Sequence, residues 1–187
     1  MTTHVTIASP VGPLTLVASG GRLTGLYMDE QRHLPDWSRF GPAGDAASAP
    51  FGAAIEQLGR YFAGELTRFD LPLELAGTPF QQQVWTALLD IPYGQTATYG
   101  ELAAGLGKPA ASRAVGLANG KNPISIVVPC HRVIGSDGSL TGYGGGIDRK
   151  RFLLDLEQGA AAQPGVQPGV KRGVQRGIQA ALPGLAP

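Results

Sequence analysis

Two capping boxes set the architecture of this chain. Thr78-Pro79-Phe80-Gln81 and Thr98-Tyr99-Gly100-Glu101 each place a threonine three residues before a Gln or Glu. The two side chains of each box can then satisfy each other's backbone amides at a helix start. Pro79 suits the first helical position, and Phe80, Val84, Trp85, Leu88 and Leu89 supply an apolar stripe behind it, so these aromatics read as core. The second box opens a helix at Tyr99 that ends at Gly107. Pro109 opens another that runs to about Asn119, with Gly120 as its stop. Two short helices joined by a glycine-containing turn predict a helix-turn-helix.

Upstream of Thr78 the period is different. Val5 and Ile7, Leu14 and Leu16, and Leu23 and Leu26 lie in β-rich stretches separated by Ser9-Pro10-Val11-Gly12 and Ser19-Gly20-Gly21, which predicts a β-meander over 5–28. Residues 29–50 have no clean period and read as a loop. Phe51, Ile55, Leu58 and Phe62 predict a helix over 51–64. Phe69, Leu71, Leu73 and Leu75 alternate and predict one more strand. Downstream, the run Ile124-Ser125-Ile126-Val127-Val128 predicts a buried strand that ends at Pro129-Cys130. A last helix from about Asp148 places Leu153, Leu154 and Glu157 on one side. The expected fold is α+β, with a sheet-and-helix unit over 1–76 and a helical unit over 77–158. In 159–187 the repeats Pro164-Gly165-Val166-Gln167 and Pro168-Gly169-Val170-Lys171, followed by two related ones, predict a disordered tail.

Composition narrows the function classes. Hydrophobic residues make up 43% of the 187 and charged residues 16%, enough for a buried core. No apolar run approaches the ~20 residues that cross a bilayer, and Met1-Thr2-Thr3-His4 does not begin a secretory leader. One cysteine forms no internal disulfide and builds no multi-cysteine zinc site, which suits a reducing cytoplasm. The net charge of +1 hides an asymmetry: residues 95–151 hold seven Lys and Arg against three Asp and Glu, while residues 1–94 hold five against nine. A basic segment beside an acidic one fits either a phosphate-binding face or an ordinary charged surface that binds nothing.

The one cysteine, Cys130, precedes a histidine in Pro129-Cys130-His131-Arg132-Val133. From the residues alone it fits either of two roles, a small core hydrophobe or a nucleophile. A nucleophilic thiol needs a base to make its thiolate, and His131 is the adjacent candidate. The predicted second helix of the helix-turn-helix, Pro109 to Asn119, carries Ser112 and a single arginine, Arg113, on an otherwise Ala- and Gly-rich surface. That is either an ordinary packing helix or a smooth face suited to a narrow groove with little base readout.

Pro129-Cys130-His131-Arg132-Val133 after Asn122-Pro123 resembles the signature of the O6-alkylguanine-DNA alkyltransferases, also called methylated-DNA–protein-cysteine methyltransferases. Thr78-Pro79-Phe80-Gln81 with Val84-Trp85, Ile91-Pro92-Tyr93-Gly94 running to Thr98-Tyr99-Gly100, Arg113-Ala114-Val115-Gly116 and Gly142-Tyr143-Gly144-Gly145-Gly146 follow the same family in order. The resemblance implies a ribonuclease-H-like N-terminal domain and a helix-turn-helix alkyltransferase domain. It implies that Cys130 accepts an alkyl group, O6-methylguanine's methyl above all, from a nucleotide flipped out of double-stranded DNA, once per molecule. His131 would activate Cys130 through a water, Glu157 would orient His131, and Asn122 would brace the turn between reading helix and active site. Tyr99 would bond the base at N3, and the carbonyls of Cys130 and Val133 would accept its exocyclic amine. The Gly144 amide would face O6, Ser112 and Tyr143 would join the DNA and substrate contacts, and Arg113 would fill the gap in the stack. Arg132 would tie neighbouring carbonyls together. No cofactor or metal is implied, no membrane is a partner, and the protein is expected to be a monomer in solution. Ser125 stands where the vertebrate members carry a second proline, so tolerance of bulky O6-benzyl groups is not implied.

Three rival readings differ in the chemistry they require. A non-catalytic alkyltransferase-like lesion sensor would lack the cysteine, a helix-turn-helix regulator would carry base-reading side chains on its second helix, and a cysteine hydrolase would have no use for this helix pair.

Overall fold

The structure, a computed structural model, describes residues 1–161; the expected tail beyond that point lies outside the described residues. Strands β1 (Thr2–Ile7), β2 (Leu14–Ser19) and β3 (Arg22–Met28) form the antiparallel meander, ordered β1-β2-β3, with a bulge between Val17 and Ala18. Leu14, Leu16, Leu23 and Leu26 are fully buried on the core side. The other face is covered too, because a 3-10 turn at Trp37–Phe40 lays Phe40 against Tyr27 with ring centroids 5.2 Å apart. Part of the aperiodic 29–50 segment is therefore buried.

The strand expected over Phe69–Leu75 does not form. Leu73 makes a single parallel bridge with Leu23, through Leu23 N–H to Pro72 O and Glu74 N–H to Leu23 O. Pro72 has no N–H to extend the ladder. Helix α1 (Phe51–Phe62) forms as expected but is rotated from its predicted stripe: Phe51, Ala54, Leu58 and Tyr61 are buried, and Ile55 and Phe62 only flank them. Gly64, at φ +74°, closes it, with Glu65 N–H bonded to Arg60 O and Gly64 N–H to Tyr61 O.

Both capping boxes are made in full. Thr78 caps α2 (Pro79–Leu88), and Thr98 caps α3 (Tyr99–Gly105). Gly107, at φ +69°, ends α3, with Lys108 N–H on Ala103 O and Gly107 N–H on Ala104 O. The expected Pro109–Asn119 helix is two pieces, a 3-10 turn at Pro109–Ala111 and α4 (Ser112–Gly120). Gly120 is the last residue of α4, and Lys121 caps it. Trp85 on α2 donates its indole N–H to Ala118 O at 2.8 Å, locking α2 to α4. Strands β4 (Ala97–Thr98) and β5 (Val133–Ile134) pair in parallel just before α3 and just after Cys130. Helix α5 (Ile147–Ala161) closes the fold and continues past Gly159, where the sequence places the start of the tail. One core joins both halves: Leu16, Leu26, Leu58, Trp85, Val115, Ile126, Val133 and Leu153 belong to a single buried cluster.

Candidate active site

The apolar run before Cys130 is not a strand. Val127 N–H bonds Ser125 O, two residues back, around Ile126 at φ +70°. This is a γ-turn of the rare kind, and strained at a β-branched residue. Cys130 N–H likewise bonds Val128 O around Pro129 at φ −82°, ψ 63°, an inverse γ-turn. Tight turns in a core need partners for their remaining polar groups, and these partners come from two sources. Asn122 donates to Val128 O at 2.7 Å and accepts from Ile124 N–H at 3.0 Å. Leu26 of β3 grips the segment from the other side, donating to Pro123 O and accepting from Ser125 N–H. The result sets Cys130 at the start of a 3-10 turn, Cys130–Arg132.

Cys130 is buried. Burial pushes its thiol up to about 11, partly offset by the Asn122 side chain, the Lys150 ammonium and the backbone amides of Cys130 and His131. Such a thiol keeps its proton at neutral pH and needs a base. His131 is fully buried next to it, with Nε2 2.7 Å from Glu157 Oε1 and a buried Nδ1 that has no partner among the described residues. Burial pushes His131 below its ordinary value, against the pull of Glu157. A neutral imidazole that donates Nε2–H to Glu157 leaves Nδ1 as an acceptor. Burial alone would raise Glu157, but the His131 bond and the Arg132 charge hold it well below the usual carboxylate range.

Glu157 is held by more than His131. Arg132 forks onto it, Nε to Oε2 at 2.9 Å and Nη2 to Oε1 at 3.0 Å, while Nη1 reaches Ile91 O at 2.6 Å. The expected tie to a neighbouring carbonyl exists, but the carboxylate is the main partner. Gly94 N–H donates to Oε2 at 3.1 Å and Tyr61 O–H to Oε1 at 2.7 Å. Tyr61 was hidden in the sequence as one more aromatic of an amphipathic helix.

Lys150 was also missed. It lies fully buried and donates to the carbonyls of Val133 and Thr141. Burial lowers it to about 8, against the pull of Cys130. The spacing carried a signal: on one helix Lys150, Leu153, Leu154 and Glu157 share a face. Asn119, buried on α4, donates to Cys130 O at 3.4 Å.

The remaining expected residues lie around this centre. Tyr99, the first residue of α3, rests its hydroxyl on Thr141 O at 3.0 Å. Its ring runs along Gly116 of α4, and a Cβ at Gly142 would come within 2.8 Å of the Tyr99 hydroxyl. Tyr143 is buried and aims its hydroxyl at Met28 Sδ, 3.8 Å away, so its partner is the N-terminal sheet. Gly144 accepts from Arg32 N–H, also of the N-terminal half. On α4, Arg113, Ala114 and Leu117 face outward, Ser112 is half-buried, and Val115 and Ala118 pack inward.

A buried cysteine with a histidine–carboxylate pair, set behind a helix-turn-helix, defines a thiol group-transfer site on a nucleic-acid-binding scaffold. The chain belongs to the 6-O-methylguanine DNA methyltransferase family: residues 3–75 match its ribonuclease-like domain and residues 79–159 its DNA-binding domain. The methylated-DNA–protein-cysteine methyltransferases of Mycobacterium tuberculosis and Mycobacterium bovis are each 60% identical over 156 residues, covering 83% of this chain and 92% of theirs. That of Methanosarcina barkeri is 48% identical over 159 residues, covering 81% of this chain and 94% of its own. Mycobacterium tuberculosis OGT solved in complex with DNA is 58% identical, with a TM-score of 0.78 over 84% of this chain and 94% of that one.

Proposed function

We propose that this protein repairs DNA by moving the methyl group of O6-methylguanine to its own Cys130, irreversibly and once per molecule. The observation that carries the reading is the buried Nδ1 of His131, which has no partner among the described residues and is fixed as an acceptor by Glu157, beside the chain's one thiol. In the reaction the O6–carbon bond breaks and a sulfur–carbon bond forms. The thiol proton passes through a bridging water to His131 Nδ1, the departing guanine takes the Tyr99 phenol proton at N3, and the phenolate regains a proton from solvent, to which His131 releases its own.

A duplex hides O6, so the nucleotide must leave the stack. Arg113 on the outward face of α4 fills the space it vacates, and Ser112 sits one residue before it at the start of the same helix. Tyr99, parked on Thr141 O, turns its hydroxyl to N3 of the extruded base. The carbonyls of Cys130 and Val133 accept the exocyclic amine; Val133 O has a second lone pair beyond the one Lys150 occupies. The Gly144 amide serves O6, and Tyr143 backs that loop from the core. A thioether is not cleaved by water or thiols, so nothing in the chain regenerates Cys130. The protein acts as a monomer in a reducing cytoplasm, where a lone thiol persists. Among the described residues no helix is long and apolar enough to cross a membrane.

Duplex DNA carrying radiolabelled O6-methylguanine tests this reading. Label should move into protein with wild type and not with Cys130→Ser, while both bind the duplex. Binding without transfer by wild type would make the protein a lesion sensor instead.

A further inference from the structure

We propose that Tyr61, contributed by the N-terminal half, is a positioning residue of the alkyl-transfer site: its hydroxyl fixes Glu157 Oε1 so that His131 keeps Nδ1 as its open acceptor. This rests on the reading of Cys130 as the alkyl acceptor.

Tyr61 is fully buried in an aromatic nest, with ring centroids 5.4 Å from Phe62, 5.3 Å from Phe69 and 6.0 Å from Tyr93. Packing there asks only for a ring, and phenylalanine would supply it. A hydroxyl buried among rings is costly unless bonded. This one donates to Glu157 Oε1 at 2.7 Å, the same oxygen that takes His131 Nε2 at 2.7 Å. The two partners are 96 residues apart and lie on α1 and α5. The carboxylate that orients the base is therefore incomplete without a side chain from the sheet-bearing half.

The chemistry follows from competition at one oxygen. Glu157 is faced by Tyr61 from α1, by Tyr93 and the Gly94 amide from the loop after α2, and by His131 and Arg132 from the 3-10 turn. His131 is faced by Glu157 and Lys150 of α5 and by Arg132. Tyr61 shares the negative charge on Oε1. Without it, more of that charge falls on His131, the imidazolium becomes easier to form, and Nδ1 is blocked by a proton over a wider pH range. Proton acceptance from the thiol then fails at higher pH than in wild type.

The test is Tyr61→Phe in the full chain. Single-turnover transfer from O6-methylguanine duplex should fall about tenfold on the acid side, the weight of one hydrogen bond to a charged group. The acid limb of its pH profile should move up by about one unit. Duplex affinity, read in a Cys130→Ser background, should not change. In a Glu157→Gln background the same substitution should have little further effect, because its route to the thiol is already cut. An unchanged limb and rate, or an equal loss in the Glu157→Gln background, overturns the proposal and leaves Tyr61 a core residue. Site-specific fluorotyrosine at position 61, a stronger donor of nearly the same shape, should move the limb to lower pH and answers the question should the phenylalanine variant not fold. NMR titration of the His131 ring separates this proposal from the reading it rests on. If wild type transfers nothing, the alkyl-acceptor reading fails, while a His131 titration that rises in Tyr61→Phe still upholds the positioning role and one that stays put overturns it.

Discussion

Tyr99 and Lys150 converge on one carbonyl. The phenol donates to Thr141 O at 3.0 Å and the ammonium donates to the same oxygen at 2.9 Å. Lys150 also holds Val133 O, so it ties the glycine-rich stretch before α5 to the strand just after Cys130. The Val133 and Thr141 carbonyls are thus held by Lys150 independently of the Tyr99 phenol.

Lys150→Met should therefore lower unfolding free energy by about 1–3 kcal/mol, since two carbonyls lose a buried donor. Transfer should slow in the same variant because Val133 O and Thr141 O are no longer held in place. Urea unfolding with single-turnover kinetics checks both. A variant as stable and as fast as wild type would show that the tie is idle.

Stability should fall with acid in a way that Glu157 explains. His131 is pushed below its ordinary 6.5 by burial, and Glu157 is held below its ordinary 4.5 by His131 and Arg132 against the cost of burial. Both groups have folded values below their unfolded ones, so the unfolded chain binds more protons through this range. Unfolding free energy then drops as pH falls. The contributions are complete above each ordinary value and disappear as pH passes down through each folded value. Denaturant titrations from neutral to acid should show a decline that starts near pH 6.5 and continues below pH 4.5. Glu157→Gln should flatten the lower part. Equal slopes in the two proteins would contradict the assignment.

Arg113→Ala should slow repair in duplex DNA more than reaction with the free O6-alkylguanine base. Arg113 is on the outward face of α4, and if it holds the gap left by the extruded nucleotide as proposed, its loss should cost about 1–3 kcal/mol, on the scale of base stacking. A free base has no stack to leave. Equal losses on both substrates would make Arg113 a folding residue.

Local rules were legible where they act alone. Thr78 and Thr98 cap the helices their sequences announce, and Gly107 ends α3. Legibility failed where tertiary contacts decide. Leu73 alternates like a strand residue, but Pro72 allows only one bridge. Residues 124–128 are apolar enough for a buried strand, yet Asn122 and Leu26 satisfy their amides and carbonyls so that they fold as consecutive turns. Cys130, His131 and Glu157 could be picked out by resemblance, and the structure brings His131 and Glu157 to 2.7 Å. Tyr61 could not, because no local pattern reports a hydroxyl bond to a residue 96 positions away.

Peptide mass mapping after incubation with excess O6-methylguanine duplex tests Cys130 as the single alkyl acceptor. One methyl group per molecule is expected, carried on the peptide that contains Cys130, with no further uptake as duplex is added. A methyl group on any other residue, more than one per molecule, or none at all would contradict it.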